Sequence, residues 1–451
     1  MRRPNLLCSS ILLAISCNQA HAMTLTEAIQ STVENHPQIQ ASQNARLSAD
    51  EEVKVAKGGY LPSVDVLAGY GRQNSDTPST RALGNHNTET LTYGSSEVRL
   101  RQMLFDGFNT PNEVARTEAV VNSRAYYTLG TAEALALRTI EVYLDVLKRR
   151  EMVTLATNNL QAHLRMHDQI RMRSDQGVGR TADSDQAEAR LALAQNNLYT
   201  EQVNLADAEA SFLSVTGRPA DELTAPASVK PAMPMDMASA RQNVASDNPL
   251  LKSAQADIQA AEKQYESAKS PFYPRFDAEL STNADNNTQG DEGHANGWRA
   301  GVSMNYNLFN GMRDKARLQS SAYKVNEAMD IRNNALRELN ENLALAWNAM
   351  ENARLQTPKA RDYADYSARV REAYQQQFTL GQRTLLDLLD SENELFTANR
   401  RYTEVRYTEE FSMYRVIAAT GALLKQQNIV VPTEAVAIGD VQNQASLPDM
   451  Q

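Results

Sequence analysis

The chain has 451 residues, of which 42% are hydrophobic and 22% are charged, and its formal net charge is −10. An acidic chain lacks the basic footprint that electrostatic binding of nucleic acid requires. Beyond the N-terminus, no uninterrupted apolar run approaches the roughly 18 residues of a spanning helix, which argues against a helical membrane protein.

Residues 1–22 have the three parts of a secretory signal peptide. Two arginines precede an apolar run and the small-residue site Ala20-His21-Ala22. Cleavage after Ala22 would make Met23 the first residue of the mature chain and would remove both cysteines, Cys8 and Cys17. Neither a disulfide nor a thiolate metal site is therefore expected. Alternatively Cys17 is a lipid-attachment cysteine, although Ala14 stands where a lipobox prefers leucine.

The first predicted element after the signal is a helix. Thr24-Leu25-Thr26-Glu27 has the pattern of a capping box, and the helix is predicted to run towards Lys57. Gly58-Gly59 and Pro62 then end it, because glycine and proline interrupt helices.

Two pairs of strands are predicted from alternation with period two, one pair within residues 63–101 and the other within 276–306. The second pair, separated by the polar loop 283–297, has the clearer pattern. Its apolar face is predicted to contact lipid through Trp298, Val302 and Tyr306, and its polar face to contact water through Arg299, Ser303 and Asn305.

A half-buried sheet in a soluble protein has the same alternation, so the pattern alone leaves both interpretations open. Each strand has about the ten residues that a tilted membrane span requires. Four strands do not close a membrane barrel, because the smallest barrels have about eight and open edges are not tolerated in lipid. A barrel would therefore need several chains.

Long helical hairpins follow each strand pair. Pro111 and Pro219 bound a stretch without proline, in which a helix from about Asn112 to Arg173 would be roughly 90 Å long. Gly177-Val178-Gly179 marks its turn. The second hairpin is predicted from Arg313 to Arg415, with a kink at Pro358.

The same order of motifs occurs twice, about 200 residues apart, which indicates an internal duplication. Asn35-His36-Pro37 corresponds to Asp247-Asn248-Pro249, and Leu104-Phe105-Asp106-Gly107 corresponds to Leu308-Phe309-Asn310-Gly311. The predicted organisation is a first repeat over 23–217, a linker over 218–234, a second repeat over 235–423 and a polar tail over 424–451.

No catalytic motif or cofactor-binding motif is found, so no enzyme activity and no cofactor are predicted. His163 and His167 have the spacing of a metal pair, but Leu164 replaces the glutamate of the metalloprotease motif and no third ligand is evident. We interpret the two histidines as part of a solvated helix face.

The repeated order of helix, strand pair and long hairpin resembles the TolC family of outer-membrane efflux and secretion proteins. The strongest local match is 378–390, FTLGQRTLLDLLD, which is similar to the family's second periplasmic hairpin tip. The resemblance implies a mainly α-helical fold with a membrane β-barrel portion: a homotrimer with twelve strands in the outer membrane and a helical tunnel through the periplasm. It also implies a periplasmic adaptor and an inner-membrane ABC transporter as partners.

A periplasmic gate is predicted at this tip. Asp387 and Asp390 lie three residues apart on one helix face, so that threefold symmetry would make each a ring of carboxylates. The like charges of such a ring repel one another and need a compensating cation, for which Arg383 is the nearest candidate. The resemblance implies that Asp185, on the other hairpin, is the partner of this arginine. Phe378 stands where the family usually has a tyrosine, so a hydroxyl that helps to hold the closed state is missing.

The glycine-containing turns are the predicted adaptor-docking sites, because glycine permits tight turns and close approach of backbones. They comprise Gly177, Val178 and Gly179 in the first hairpin and Leu380 and Gly381 in the second.

Three functions are compatible with the sequence. The run from Phe378 through Tyr402, Tyr407 and Tyr414 to Gly421 resembles the branch that exports large repetitive adhesins, the LapE or AggA type. This favours the outer-membrane channel of a type I secretion system. The alternatives are the duct of a multidrug efflux pump and a periplasmic coiled-coil adaptor or structural protein.

Overall fold

The computed structural model describes residues 22–82, 88–176 and 180–439. The predicted signal peptide, except Ala22, and the tail beyond residue 439 lie outside these ranges. Among the described residues no helix is both long and apolar enough to cross a membrane.

The chain is a helix pair, a strand pair and a long helical hairpin, followed by the same series again. The first series comprises α1 Leu25–Asn35, α2 Pro37–Gly58, β1 Ser63–Ser75, the short α3 Pro78–Ala82, β2 Glu89–Phe105, α4 Asn109–Asp175 and α5 Thr181–Thr216. The second comprises α6 Met237–Asp247, α7 Pro249–Ser267, β3 Arg275–Asn286, β4 His294–Asn305, α8 Arg313–Thr379 and α9 Leu385–Ala419, and it is followed by the short α10 Leu423–Gln426. The predicted fold of two internal repeats is confirmed.

The helix predicted from Thr24 to Lys57 is instead two helices, α1 and α2, interrupted at His36. Pro37 disfavours a helical conformation of the residue before it, and His36 is extended, with a ψ angle of 127°. The His36 Nδ1 accepts a hydrogen bond from the Gln38 N–H at 3.2 Å and caps α2. The predicted capping box is present: the Thr24 N–H donates to Glu27 at 2.8 Å and the Glu27 N–H to Thr24 at 3.3 Å.

The four strands form one antiparallel sheet in the order β1-β2-β3-β4. β1 and β2 have 13 and 17 residues and therefore exceed the predicted lengths. The loop predicted over 283–297 is shorter, because β3 continues to Asn286 and β4 begins at His294. Tyr306, predicted to belong to the second strand pair, lies one residue beyond the end of β4.

The pairing register places apolar residues of all four strands on one face. Val64 pairs with Leu100, Leu100 with Leu280, and Leu280 with Ala300. In the next row on this face, Thr282 pairs with Trp298. Because successive side chains point to opposite faces, the intervening residues form the polar face, which includes Asp65, Arg99, Ser281 and Arg299.

The long helices α4 and α8 have 67 residues each. At 1.5 Å per residue each helix is about 100 Å long. α8 continues through Pro358, and the kink predicted there stays a prediction. Gly381 follows α8 with a φ of 75°, in the left-handed region that favours glycine. The Gln382 N–H then donates to the Gln377 carbonyl at 2.8 Å and completes the helix end.

The chain divides into two compact units. Among the described residues, the first comprises 22–32, 139–176, 180–228 and 359–407, and therefore contains the described ends of both hairpins. The second comprises 33–82, 88–138, 229–358 and 408–439, and it contains the sheet.

Candidate functional site

An apolar cluster in the first unit holds the ends of the two hairpins together. It comprises Met166 and Ile170 of α4, Ala187 of α5, Phe378 of α8, and Leu385, Leu388 and Leu389 of α9. We call it the hairpin-end cluster. Four separate helices contribute to it, so burial of these side chains fixes the position of the predicted gate residues on α8 and α9.

Phe378 belongs to this cluster and is 9% exposed. The guanidinium carbon of Arg173 on α4 lies 5.0 Å from the centre of its ring, within the range of a cation–π interaction. A phenylalanine at this position therefore contributes apolar packing and a contact with a cation, neither of which needs a hydroxyl.

Asp387 and Thr384 cap the first turn of α9 through reciprocal hydrogen bonds. The Thr384 hydroxyl donates to the Asp387 carboxylate at 2.8 Å, and the Asp387 N–H donates to the Thr384 Oγ1 at 3.2 Å. The Thr384 N–H also donates to this carboxylate, at 3.3 Å. The hydrogen bond from the Thr384 side chain is the main reason why the pKa of Asp387 lies below its usual value. Asp387 is thus held ionised at the start of a helix, where a negative charge is favourable.

Asp390 has a partner that sequence reasoning missed. The guanidinium of Arg190 on α5 donates to its carboxylate at 2.9 Å and so joins α9 to the first hairpin. The two residues are 200 positions apart, and no local pattern links them. The Asp390 side chain is 56% exposed, so the pair contributes little to stability on its own.

Arg383 makes all of its observed contacts with its own hairpin. Its guanidinium lies 4.2 Å from the ring centre of Tyr374, donates to Gln377 at 2.9 Å and is 3.8 Å from Asp387. No ion pair with Asp185 occurs among the described residues of the chain. The predicted clasp between Arg383 and Asp185 therefore stays a prediction.

The second hairpin turn presents an exposed apolar side chain. Leu380 is 72% exposed, and a Cβ atom added at Gly381 would meet no atom of a described residue within 4 Å. Among the described residues, Gly381 therefore has open space beside it. The first predicted docking turn, Gly177-Val178-Gly179, lies outside the described residues.

The histidine pair is not a solvated helix face, and that interpretation is wrong. His163 is 5% exposed, and burial lowers the pKa of its imidazole, with a smaller contribution from the charge of Arg190. The His167 Nε2 lies 2.8 Å from the Glu188 carboxylate on α5. Both histidines thus belong to the packing between α4 and α5. Within the described ranges no group of three potential ligands is placed to hold a metal ion.

The two faces of the sheet differ in chemistry. On the apolar face Trp298 is 77% exposed and Val302 is 66% exposed. The polar face contains Asp277, whose side chain is 3% exposed and accepts hydrogen bonds from Arg101 at 2.7 Å and Arg275 at 2.8 Å. In the part of the chain that the structure describes, no strand pairs with the outer edges of β1 and β4. Exposed apolar patches of this size mark interaction surfaces, and open strand edges are free to pair with further strands. This sheet therefore needs contacts from outside the single chain.

Known proteins share both the sequence pattern and the fold. A family model described as outer membrane efflux protein matches residues 28–218 and 240–422. The chain is 26% identical to the outer membrane efflux protein BepC of Brucella suis over 411 residues, which cover 90% of this chain and 86% of BepC. It is 21% identical to the alkaline protease secretion protein AprF of Pseudomonas aeruginosa over 405 residues, which cover 86% of this chain and 82% of AprF.

Among solved structures, the fold is similar to that of the CmeC outer membrane channel of Campylobacter jejuni. The TM-score is 0.78 at 14% sequence identity, and the similarity covers 88% of this chain and 86% of CmeC. The likeness confirms the predicted fold class, which is mainly α-helical with a β-barrel portion.

Proposed function

Because the chain belongs to the outer membrane efflux protein family and therefore lies in the outer membrane, we propose that it is the channel component of a type I secretion system. Three copies form the channel, and its cargo is a large protein, a surface adhesin. A periplasmic adaptor and an inner-membrane ABC transporter complete the system and supply the energy.

The observation that carries the proposal is the open four-stranded sheet with one apolar face. Three copies would contribute twelve strands, enough to close a barrel whose outward face meets lipid and whose inward face meets water. Trp298 and Val302 would then contact lipid, as would Tyr306 just beyond the strand. The polar residues Arg299 and Ser303 would line the lumen. A periplasmic adaptor with a single hairpin and no such strands is not supported by this architecture.

Secretion and drug efflux are the two functions that the family leaves open. The name of AprF supports protein secretion, and the resemblance of the segment from Phe378 to Gly421 to adhesin-exporting proteins favours an adhesin as cargo. The name of BepC supports efflux as the alternative.

Deletion of the gene distinguishes these two functions. We expect the deletion strain to lose one large protein from its surface and medium and to keep its drug susceptibility. The measurements are mass spectrometry of the secreted fraction and growth inhibition by a panel of drugs, each repeated with the complemented strain. Greater drug susceptibility with an unchanged secreted fraction would contradict the proposal and favour the efflux pump.

We further propose that Asp387 and Asp390 form the periplasmic constriction. In a threefold assembly, like charges 4 Å apart repel by about 1 kcal/mol in water and by about 4 kcal/mol at an effective dielectric of 20. Multivalent cations would relieve this repulsion and should block conductance when they are added on the periplasmic side. Neutralisation of both residues to Asn should weaken the block, and Asp362→Asn with Asp365→Asn on α8 provides a control with the same loss of charge.

The proposed clasp makes a separate contribution to the same gate. Arg383→Ala or Asp185→Ala should raise the resting conductance in planar bilayers by loosening the clasp. An Asp387 and Asp390 double variant with full cation sensitivity would place the constriction elsewhere. A resting pore that is as closed in Arg383→Ala as in the wild type would assign the clasp to other residues.

A further inference from the structure

A polar cavity of about 430 Å³ lies in the first unit, between α4, α8 and α9. Its volume falls within the range of small-molecule sites. Charged and amide side chains share its lining with apolar ones, including Asn159, Arg165, Arg371, Glu392, Leu395 and Phe396. None of these residues belongs to the predicted gate or to the predicted docking turns.

Two guanidinium groups and one carboxylate set the charge of this cavity. The Arg371 Nε lies 3.2 Å from the Glu392 Oε2, but this buried N–H makes no well-directed hydrogen bond with a described residue. Arg165 also lines the cavity, and its charge acts on Glu392. One carboxylate faces two cations, so the cavity has a net positive charge and capacity for one further negative charge.

Asn159 adds an independent indication of a ligand. Its side chain is 5% exposed, and its Nδ2 has no hydrogen-bond partner among the described residues. An unsatisfied buried donor is costly, since its hydration is lost without replacement. An acceptor placed beside Asn159 in the cavity would satisfy this donor.

Apolar side chains also line the cavity. Leu155 of α4 and Leu395 and Phe396 of α9 face the same space. We propose that the cavity binds a small organic monocarboxylate, whose charged group is held by Arg165, Arg371 and Asn159. Its apolar body lies against Leu395 and Phe396. A dianion such as phosphate fits less well, because Glu392 repels a second negative charge.

The guanidinium groups favour a carboxylate for a geometric reason as well. Their N–H groups match the two oxygens of a carboxylate, and such charge-assisted hydrogen bonds are about twice as strong as neutral ones. Burial raises the pKa of Glu392, whereas the charges of Arg371 and Arg165 act in the opposite direction. Protonation of Glu392 removes its repulsion, so binding of the carboxylate should tighten as the pH falls.

Titration with 4-fluorobenzoate, followed by fluorine NMR on the full-length protein in detergent, tests this site. We expect saturable binding in the wild type and at least about a tenfold rise in Kd for Arg371→Gln and Arg165→Gln, the loss expected for one hydrogen bond to a charged group. Arg361→Gln, which removes an exposed charge of α8 outside the cavity, is the matched control and should leave the Kd unchanged. Glu392→Gln should tighten binding.

The neutral analogue 4-fluorobenzyl alcohol separates charge recognition from simple partition into the cavity or the detergent. It should bind at least about tenfold more weakly than the carboxylate. If Arg371→Gln does not assemble, Arg165→Gln decides, because the Arg165 side chain is exposed. Absence of saturable binding to the wild type, equal affinity for the alcohol, or an unchanged Kd in Arg165→Gln would overturn the proposal. The probe needs no export activity, so the result is independent of the secretion experiment.

Discussion

Val302→Arg should abolish stable trimers in the outer membrane. Val302 lies in a row with Ala278 on the apolar face of the sheet, and its side chain is 66% exposed in the single chain. An arginine that faces lipid near the middle of the bilayer costs about 2 to 4 kcal/mol, and three copies repeat this cost. The measurement is the amount of heat-resistant oligomer in isolated outer membranes.

Ser303→Arg is the matched control for Val302→Arg. It introduces the same side chain one position further along β4, on the polar face beside Asp277. An arginine there would face water rather than lipid, so the trimer yield should equal that of the wild type. Equal yields from the two variants would remove the assignment of these faces to lipid and lumen.

Gly381→Trp should abolish export while trimers assemble normally. A Cβ at Gly381 meets no atom of a described residue within 4 Å, so the first atom of a larger side chain displaces none of these neighbours. Its effect on export would then report on a partner that approaches this turn, beside the exposed Leu380. Secreted protein and heat-resistant trimers should be measured in the same cultures.

Two controls separate docking from backbone strain. The φ of 75° at Gly381 makes any other residue unfavourable by about 1 to 2 kcal/mol, whereas asparagine tolerates this conformation better, so Gly381→Asn should export normally. Gly217→Trp introduces the same side chain at a helix end with a φ of 69° and similar open space, and it should also export normally. Normal secretion from Gly381→Trp, or an equal loss in Gly217→Trp, would contradict docking at this turn.

The architecture could be predicted from the sequence because its periodicities are long and consistent. Alternation with period two assigned Trp298 and Val302 to one face and Arg299 and Ser303 to the other, and the register confirms these two faces. The interruption at His36 was missed, although Pro37 is a local signal for it, because the helical pattern resumes directly after the proline.

The details of the candidate site depend on contacts that no local pattern contains. Arg190 and Asp390 come from different hairpins, and Glu188, the partner of His167, lies on a different helix from the histidine. The capping contact between Thr384 and Asp387 is different, since a threonine three residues before an acid is a recognisable start of a helix. This contact is therefore predictable from the sequence alone.

Single-channel recording of the purified full-length protein in planar bilayers shows whether three copies form a pore through a membrane. We expect discrete conductance steps from an oligomer of three chains, and a block of those steps by multivalent cations on the periplasmic side. A protein that inserts no conducting unit, or that is recovered as a monomer from the periplasm, would contradict this expectation.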